Sequence, residues 1–342
     1  MSERTIHKAI IPVAGLGTRM RPLSAVVPKA MMPLPDRQGR VLPVLHHVLA
    51  EAKAAGVSEA AVTVSPNPEA MIEAYLRAAA DAGATDLPET VTLIGRKGDR
   101  VTCKSLLRGT GFDPSKARKL RFRDRFVPAN APRSVQDKPL GFGHSVWLGK
   151  SVIGCSPFLV FLGDHVQIAE PGRPACAAQV ARAFARMGGA AMIGMQPVPA
   201  EELPRVGVAG GTPVAKGKGI YRCTAFTEKP DLAAARARLR TPGLKKDHFL
   251  AHCGIYAFAP EIFDCLEELM AQPPARGSEY QLADAQSMLL RRHPADYYLV
   301  RIEGRAYDTG TPEGYVATWR AAVHLLGKGL FVVENRSKGH KT

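Results

Sequence analysis

Short apolar runs alternate with segments of helical periodicity along the first 82 residues, and this alternation constrains the fold more than any other feature. Residues 9–14 and 60–65 are apolar runs that predict buried strands, whereas residues 44–55 and 68–82 have the spacing of helices. Strand, helix, strand, helix is the order of a parallel sheet with helices packed on it. We therefore expect an α/β fold with a mixed, mostly parallel central sheet.

The rest of the sequence continues this alternation with one interruption. Apolar runs predict further strands at 158–162, 190–195, 223–226, 254–258 and 297–302. Helical spacing predicts helices at 143–152, 179–187, 261–270, 281–291 and 312–326. We expect a single domain over residues 1–334, with a C-terminal helical part at 261–334 and a frayed tail at 335–342.

The interruption is a basic stretch. Residues 96–138 hold 13 Lys or Arg against 4 Asp or Glu, and their poor periodicity predicts a basic insertion or excursion over 83–133, partly helical at best. The formal charge of the whole chain is +15, which favours polyanionic partners such as phosphates or nucleic acid. We do not expect a nucleic-acid partner, because Phe112, Phe122 and Phe126 are too few to form a row of base-stacking platforms.

Hydropathy and cysteine usage exclude two further classes of protein. No stretch approaches the roughly 18 consecutive apolar residues of a membrane span, so we expect no membrane partner and a cytoplasmic location. The six cysteines include no Cys-x-x-Cys pair, which argues against a zinc site and favours buried free thiols.

The loop after the first predicted strand has the composition of an anion-binding loop. Gly15 and Gly17 keep side chains away from a ligand and permit positive φ angles, so that successive N–H groups can form an anion nest. Arg19 adds a positive charge, and Lys29 of a Pro-Lys pair adds a second. The loop lacks the third glycine of a dinucleotide fingerprint and the Gly-Lys-Ser/Thr of a P-loop. Alone, it is also compatible with a tight turn that carries surface cations.

Two aspartates are candidates for holding a metal ion. Asp164 follows the apolar run at 158–162, and a carboxylate at the C-terminal end of a central strand faces the ligand crevice of an open α/β sheet. Asp308 precedes the predicted helix at 312–326. Hard carboxylate oxygens suit Mg²⁺, which neutralises phosphate charge. Taken singly, these residues could also be a turn aspartate and a helix cap.

Together, these motifs resemble those of the sugar-nucleotide pyrophosphorylases, and most closely those of bacterial UTP–glucose-1-phosphate uridylyltransferases. The segment Lys8–Met20 followed by Pro28–Leu34 resembles the opening sequence of that family. The Gly-Phe-Gly-His turn at 141–144 and the Glu-Lys-Pro sequence at 228–230 also match. The matches run in order from Lys8 to about residue 321, with a gap over the basic insertion.

The resemblance implies a role for each motif. It assigns catalytic positive charge to Arg19, Lys29 and Lys229. It assigns nucleotide binding to Ala14, Gly15, Gly17, Thr18, Gln136, Gly141 and Gly143. It assigns sugar-phosphate binding to Gly207, Glu228 and Lys229. It assigns Mg²⁺ to Asp164 and Asp308.

The resemblance also implies a Rossmann-like three-layer nucleotidyltransferase fold and a reaction. A nucleoside triphosphate and a sugar 1-phosphate, UTP and glucose 1-phosphate by the closest resemblance, would give UDP-glucose and pyrophosphate by Mg²⁺-assisted in-line attack on the α-phosphorus. The Asp-Thr-Gly-Thr sequence at 308–311 also resembles thymidylyltransferases, so dTTP is an alternative substrate. A catalytically retired regulatory or nucleic-acid-binding relative is a second alternative, and a homo-oligomer is left open.

Overall fold

The computed structural model of the chain describes residues 5–15, 17–97, 100–107, 125–128, 140–215, 217–274 and 278–326. The strands are β1 (Lys8–Pro12), β2 (Pro33–Pro35), β3 (Val41–Pro43), β4 (Glu59–Thr63), β5 (Thr90–Lys97), β6 (Arg100–Leu107), β7 (Arg125–Pro128), β8 (Phe158–Phe161), β9 (His165–Ala169), β10 (Ala191–Pro199), β11 (Gly207–Pro213), β12 (Ile220–Glu228), β13 (His248–Phe258), β14 (Tyr297–Arg301) and β15 (Gly304–Asp308). The helices are α1 (Val44–Ala54), α2 (Pro66–Asp81), α3 (Phe142–Leu148), α4 (Lys150–Ile153), α5 (Cys176–Met187), α6 (Leu232–Arg238), α7 (Glu261–Met270), α8 (Leu282–Arg292) and α9 (Pro312–Leu326).

One large sheet organises the described residues, with strand order β10-β14-β12-β11-β13-β8-β1-β4-β5-β6-β7. Its centre is parallel, because β1 pairs in the same direction with β4 and β8, and β4 does so with β5. On either side of this centre, β13 and β6 are added antiparallel. The pairs β2–β3 and β9–β15 form two small antiparallel ribbons. The α/β class and the mixed sheet confirm the prediction.

The central strands are buried on both faces, which explains their continuous apolar sequence. Ile11 belongs to one core cluster, with residues of α1, α2 and α5. Ile10 belongs to a second cluster, with residues of α3, α7 and α8. Because successive side chains of a strand point to opposite faces, the two clusters lie on the two sides of the sheet and give a three-layer arrangement.

The structure corrects the prediction for the basic stretch. Its described parts are not helical: β5 pairs antiparallel with β6, and β6 pairs antiparallel with β7, which extends the sheet at one edge. Charged side chains in β6 and β7, of which β7 is the edge strand, obscure the period-2 alternation, so the sequence pattern did not indicate these strands. The C-terminal part contains the strand predicted at 297–302, observed as β14 between β10 and β12, and a second strand, β15, that the sequence did not indicate.

Two expectations about the chain as a whole can be compared with the structure. No described helix combines the length and the apolar character needed to cross a membrane. Among the described cysteines, Cys176, Cys223, Cys253 and Cys265 are buried free thiols, as predicted, whereas Cys155 is exposed.

Candidate active site

The loop after β1 places its glycine backbone beside the ammonium group of Lys29, at the carboxyl end of the parallel strands. A Cβ atom added to Gly15 would lie 3.2 Å from the Nζ atom of Lys29, so glycine leaves the space that this ammonium group occupies. Gly17 has a φ angle of 61°, in the left-handed region that favours glycine. Its carbonyl accepts a 2.6 Å hydrogen bond from the hydroxyl of Ser24, which fixes the turn. The loop geometry therefore fits the anion-binding role that the sequence predicts.

The other predicted residues of this loop remain accessible. Ala14 is partly buried, and Thr18 and Arg19 are exposed at the start of a short 3-10 turn, Thr18–Met20. No ion pair holds the guanidinium of Arg19 in the part of the chain that the structure describes. This side chain is thus free to contact a ligand in the cleft.

The ammonium group of Lys29 forms an ion pair with the carboxylate of Asp164, just beyond the end of β8. The ring nitrogen Nδ1 of His165 lies 3.1 Å from Oδ1 of the same carboxylate and donates a hydrogen bond to it. β9 pairs with β15 so that His165 faces Asp308. Ligand atoms of Asp164, His165 and Asp308 all lie within 4.8 Å of one another. We call Lys29 and these three residues the phosphate-end cluster.

Backbone contacts hold this cluster in place. The N–H and the hydroxyl of Thr309 donate to the carbonyl of Asp164, at 2.8 and 2.7 Å. The N–H of Gly310 donates to Oδ1 of Asp308 at 2.7 Å. The Asp-Thr-Gly sequence thus joins β15 to the residue that follows β8 and orients the carboxylate of Asp308.

The contacts within the phosphate-end cluster shift the pKa values of Asp164 and His165. Burial by itself would raise the pKa of Asp164, but the hydrogen bond from His165 and the charge of Lys29 outweigh it and hold that pKa well below its usual range. Burial would lower the pKa of His165, but the hydrogen bond to Asp164 outweighs it and raises that pKa. Asp164 therefore stays ionised, which is the protonation state that a carboxylate needs to bind a metal ion.

The donor set fits a divalent cation. Asp164 and Asp308 offer carboxylate oxygens within one small space at the strand ends, and His165 lies beside them as a hydrogen-bond donor to Asp164. Two carboxylates suit a hard cation that keeps water or phosphate oxygens as its remaining ligands. In the structure the positive charge at this place is the ammonium group of Lys29.

Gly141 and Gly143 have a packing role in addition to any contact with a base. Gly141 has a φ angle of 108° at the start of α3, and a Cβ there would lie 2.5 Å from the carbonyl oxygen of Tyr280. The N–H of Gly143 donates to that same carbonyl at 2.8 Å. The two glycines therefore let α3 approach the segment before α8. Gln136, predicted to bind the base, lies outside the described residues.

The predicted sugar-phosphate residues lie together where β11 begins and β12 ends. Gly207 of β11 pairs with Glu228 of β12, and a Cβ on Gly207 would lie 2.6 Å from Oε2 of that glutamate. Lys229, with a φ angle of 47°, turns the chain after β12, and its N–H donates to the carbonyl of Val206 at 3.1 Å. Glu228 and Lys229 are both exposed. The structure thus brings these three residues together.

Strand β13 links the two ends and holds residues that sequence reasoning missed. A Cβ on Gly254 would lie 3.2 Å from ring atoms of His165, so the imidazole lies against this glycine. Two residues earlier in the strand, Nδ1 of His252 is 3.8 Å from the position of a Cβ on Gly207. The sequence signal that could have identified them is a polar residue, His252, and a small residue, Gly254, at alternate positions of an otherwise apolar strand.

Comparisons with known proteins agree with this geometry. A model of the nucleotidyl transferase family matches residues 8–324. The UTP–glucose-1-phosphate uridylyltransferase of Bacillus subtilis (strain 168) is 29% identical over 316 residues, which cover 92% of this chain and 90% of that protein. The enzyme of the same name from Staphylococcus epidermidis (strain ATCC 35984) is 30% identical over 315 residues, covering 92% and 91%.

Solved structures show the same fold. A crystal structure of a UDP-glucose pyrophosphorylase complexed with UDP-glucose has a TM-score of 0.65 at 21% identity, covering 94% of this chain and 99% of that one. The UTP-bound enzyme of Acinetobacter baumannii has a TM-score of 0.63 at 22% identity, covering 92% and 93%. With a family match that spans most of its length, the chain belongs to the nucleotidyl transferase family.

Proposed function

We propose that the chain is a UTP–glucose-1-phosphate uridylyltransferase, which forms UDP-glucose and pyrophosphate from UTP and glucose 1-phosphate. The observation that carries the proposal is a phosphate-end cluster at the carboxyl end of β8 that strand β13 connects to a sugar-phosphate set where β11 begins and β12 ends. The names of the relatives that align over nearly the whole chain support the same reaction.

The triphosphate binds to the loop after β1. The N–H groups of Gly15, Gly17 and Thr18 donate hydrogen bonds to phosphate oxygens, and the exposed Arg19 adds a charge-assisted contact. Lys29 reaches the same space from beside Gly15. Gln136, Gly141 and Gly143 are assigned to the base by their positions in the family motif.

Asp164 and Asp308 would hold a divalent cation, with Mg²⁺ as the proposed ion. When bound, the cation neutralises phosphate charge and so reduces the repulsion between two polyanionic substrates. Lys29 then exchanges its ion pair with Asp164 for contacts to phosphate. Because Lys29 and His165 hold the carboxylate of Asp164 ionised and the N–H of Gly310 orients that of Asp308, binding would require little rearrangement.

Lys229 and Glu228 bind and orient the sugar 1-phosphate. The ammonium group of Lys229 orients the phosphate, and the carboxylate of Glu228 accepts hydrogen bonds from sugar hydroxyls. A phosphate oxygen then attacks the α-phosphorus in line, the new P–O bond forms, and the bond to the β-phosphate breaks to release pyrophosphate. The attacking phosphate is already ionised, so no general base is needed.

A thymidylyltransferase is the second candidate. The Asp-Thr-Gly-Thr sequence at 308–311 favours it, and a fold relative titled as a putative glucose-1-phosphate thymidylyltransferase from Bacillus anthracis has a TM-score of 0.60 at 19% identity. The uridylyltransferases align over 92% of the chain at 29–30% identity, which favours UTP.

The test is pyrophosphate release from UTP, dTTP, ATP and GTP, each paired with glucose 1-phosphate, with the nucleotide sugar identified by mass. The proposal predicts the highest kcat/KM with UTP and a product of the mass of UDP-glucose. A preference for dTTP would select the second candidate, and no release with any pair would refute the nucleotidyl transfer.

A further inference from the structure

Three neighbouring strands form a gap at the sugar end of the cleft. Gly207 of β11 pairs with Glu228 of β12 on one side. On the other side the β11–β13 register pairs Val208 with Ala251, so the next position along brings Gly207 beside His252. Residues directly opposite each other in adjacent strands point to the same face. His252 and Glu228 therefore flank a position that carries no side chain.

Both flanking side chains lean toward this gap. Measured from the place of a Cβ on Gly207, Oε2 of Glu228 is at 2.6 Å and Nδ1 of His252 is at 3.8 Å. The two polar groups therefore converge over Gly207, within hydrogen-bonding reach of a hydroxyl group placed between them.

The ring of His252 is held by aromatic contacts. Its centroid lies 6.1 Å from that of Phe226 and 5.6 Å from that of Tyr256, in a T-shaped arrangement with the latter. Within the described residues, no hydrogen bond occupies either ring nitrogen. Burial lowers the pKa of His252 to about 4, so the ring is neutral at pH 7 and offers one donor and one acceptor.

We propose that His252 hydrogen-bonds a hydroxyl group of the hexose and, opposite Glu228, determines which sugar 1-phosphates are accepted. The proposal rests on the proposed function, since it needs a sugar 1-phosphate in this cleft. The two flanking groups are complementary: a carboxylate can only accept from a hydroxyl, whereas a neutral imidazole can also donate to one. A hexose that lacks or inverts the hydroxyl facing His252 leaves this half-buried polar ring without a partner, and that loss is the source of selectivity.

The test compares glucose 1-phosphate with its 2-, 3-, 4- and 6-deoxy analogues. We expect wild-type protein to show a KM raised about tenfold for one analogue, the size of one lost hydrogen bond. His252→Leu should raise the KM for glucose 1-phosphate by about the same factor, with no further rise for that analogue. The KM for UTP should stay unchanged, and His252→Gln, which keeps a donor and an acceptor, should retain part of the selectivity.

His248→Leu is the matched control. It places the same substitution on the same strand, but His248 is hydrogen-bonded to the carbonyl of Lys246 at 3.1 Å and lies outside the cleft. A second readout does not depend on the Leu variant folding: the ring ¹⁵N signals of wild-type His252, assigned by their absence in His252→Gln, should shift with glucose 1-phosphate and not with the sensitive analogue.

Two results would overturn the inference. One is a folded His252→Leu protein with wild-type KM for glucose 1-phosphate and intact discrimination among the analogues. The other is a His252 ring signal that is unmoved by saturating sugar 1-phosphate. A wild-type protein that forms no nucleotide sugar would overturn the proposed function and the inference together, whereas turnover without dependence on His252 overturns the inference alone.

Discussion

The two ends of the cleft are built in opposite ways. At the phosphate end, Lys29, Asp164 and His165 are joined by ion pairing and hydrogen bonding before any substrate is present, and the pKa of Asp164 is held low as a result. At the sugar end, Glu228 and Lys229 are exposed and make no ion pair among the described residues. The phosphate end is therefore a preorganised network of charges. At the sugar end, the polar side chains have no partner among the described residues and are accessible to a substrate.

From this difference we predict that the phosphate end governs the rate of the chemical step and the sugar end governs the choice of sugar. Preorganised charges aimed at a reacting phosphate lower the barrier without reorganisation, so changes there should reduce kcat. Unpaired groups around a gap acquire partners only from the substrate, so changes there should act on KM and on the choice of sugar. Strand β13 spans both, with Gly254 against His165 and His252 beside Gly207.

The largest effect is expected at Asp164. Asp164→Asn keeps the shape of the side chain but removes its charge from the site of the cation, so kcat should fall on the order of 10³-fold. Excess chelator should abolish wild-type turnover, and Mg²⁺ should restore it. Asp247→Asn, which breaks an exposed ion pair with Arg236, is the matched control and should keep full activity. Undiminished turnover in chelator, or in a folded Asp164→Asn protein, would contradict the role of the cluster.

The second-largest effect on activity is expected for Lys229→Ala. Loss of one charged contact to the reacting phosphate is expected to cost roughly 2–4 kcal/mol in the transition state, or about 10²-fold in kcat/KM for glucose 1-phosphate. Lys218→Ala is the control, because this exposed lysine lies in the turn between β11 and β12, at the opposite end of the same hairpin. If the two variants behaved alike, Lys229 would be a surface cation.

The smallest effect concerns stability and pH. Burial lowers the pKa of His252 to about 4, so between about pH 6.5 and 4 the unfolded chain binds more protons at this residue than the folded chain does. As the pH falls through this window, wild-type protein should lose stability relative to His252→Gln, by at most about 1.4 kcal/mol per pH unit. Denaturant unfolding of both proteins at several pH values measures this difference. A constant difference would mean that the ring is solvated, which would weaken the contrast between the two ends.

The parts of the molecule that sequence reasoning predicted are those with strong local signals. The apolar run of β1 and the helix α7 were expected at nearly their observed bounds because burial imposes a period on the sequence. Asp164 and Asp308 were paired through ordered motifs, and the structure brings them together. Their roles in binding a metal remain predictions.

The parts that were not predicted depend on contacts between distant segments. β9 and β15 are short, and they exist because they pair with each other across more than a hundred residues of sequence. His252 has no motif around it, and its position beside Gly207 follows only from the order of strands in the sheet. Such juxtapositions are set by topology, which a periodic pattern cannot specify.

The central claim is that both ends act on one reaction, the attack of the sugar phosphate on the α-phosphorus. The most direct measurement supplies glucose 1-phosphate with ¹⁸O in all of its phosphate oxygens, together with unlabelled UTP, and determines by mass where the label goes. We predict that all of the label is in UDP-glucose, with none in pyrophosphate. Label in pyrophosphate or in free phosphate would mean that the bond at the sugar or a different phosphorus reacts, and would contradict the account.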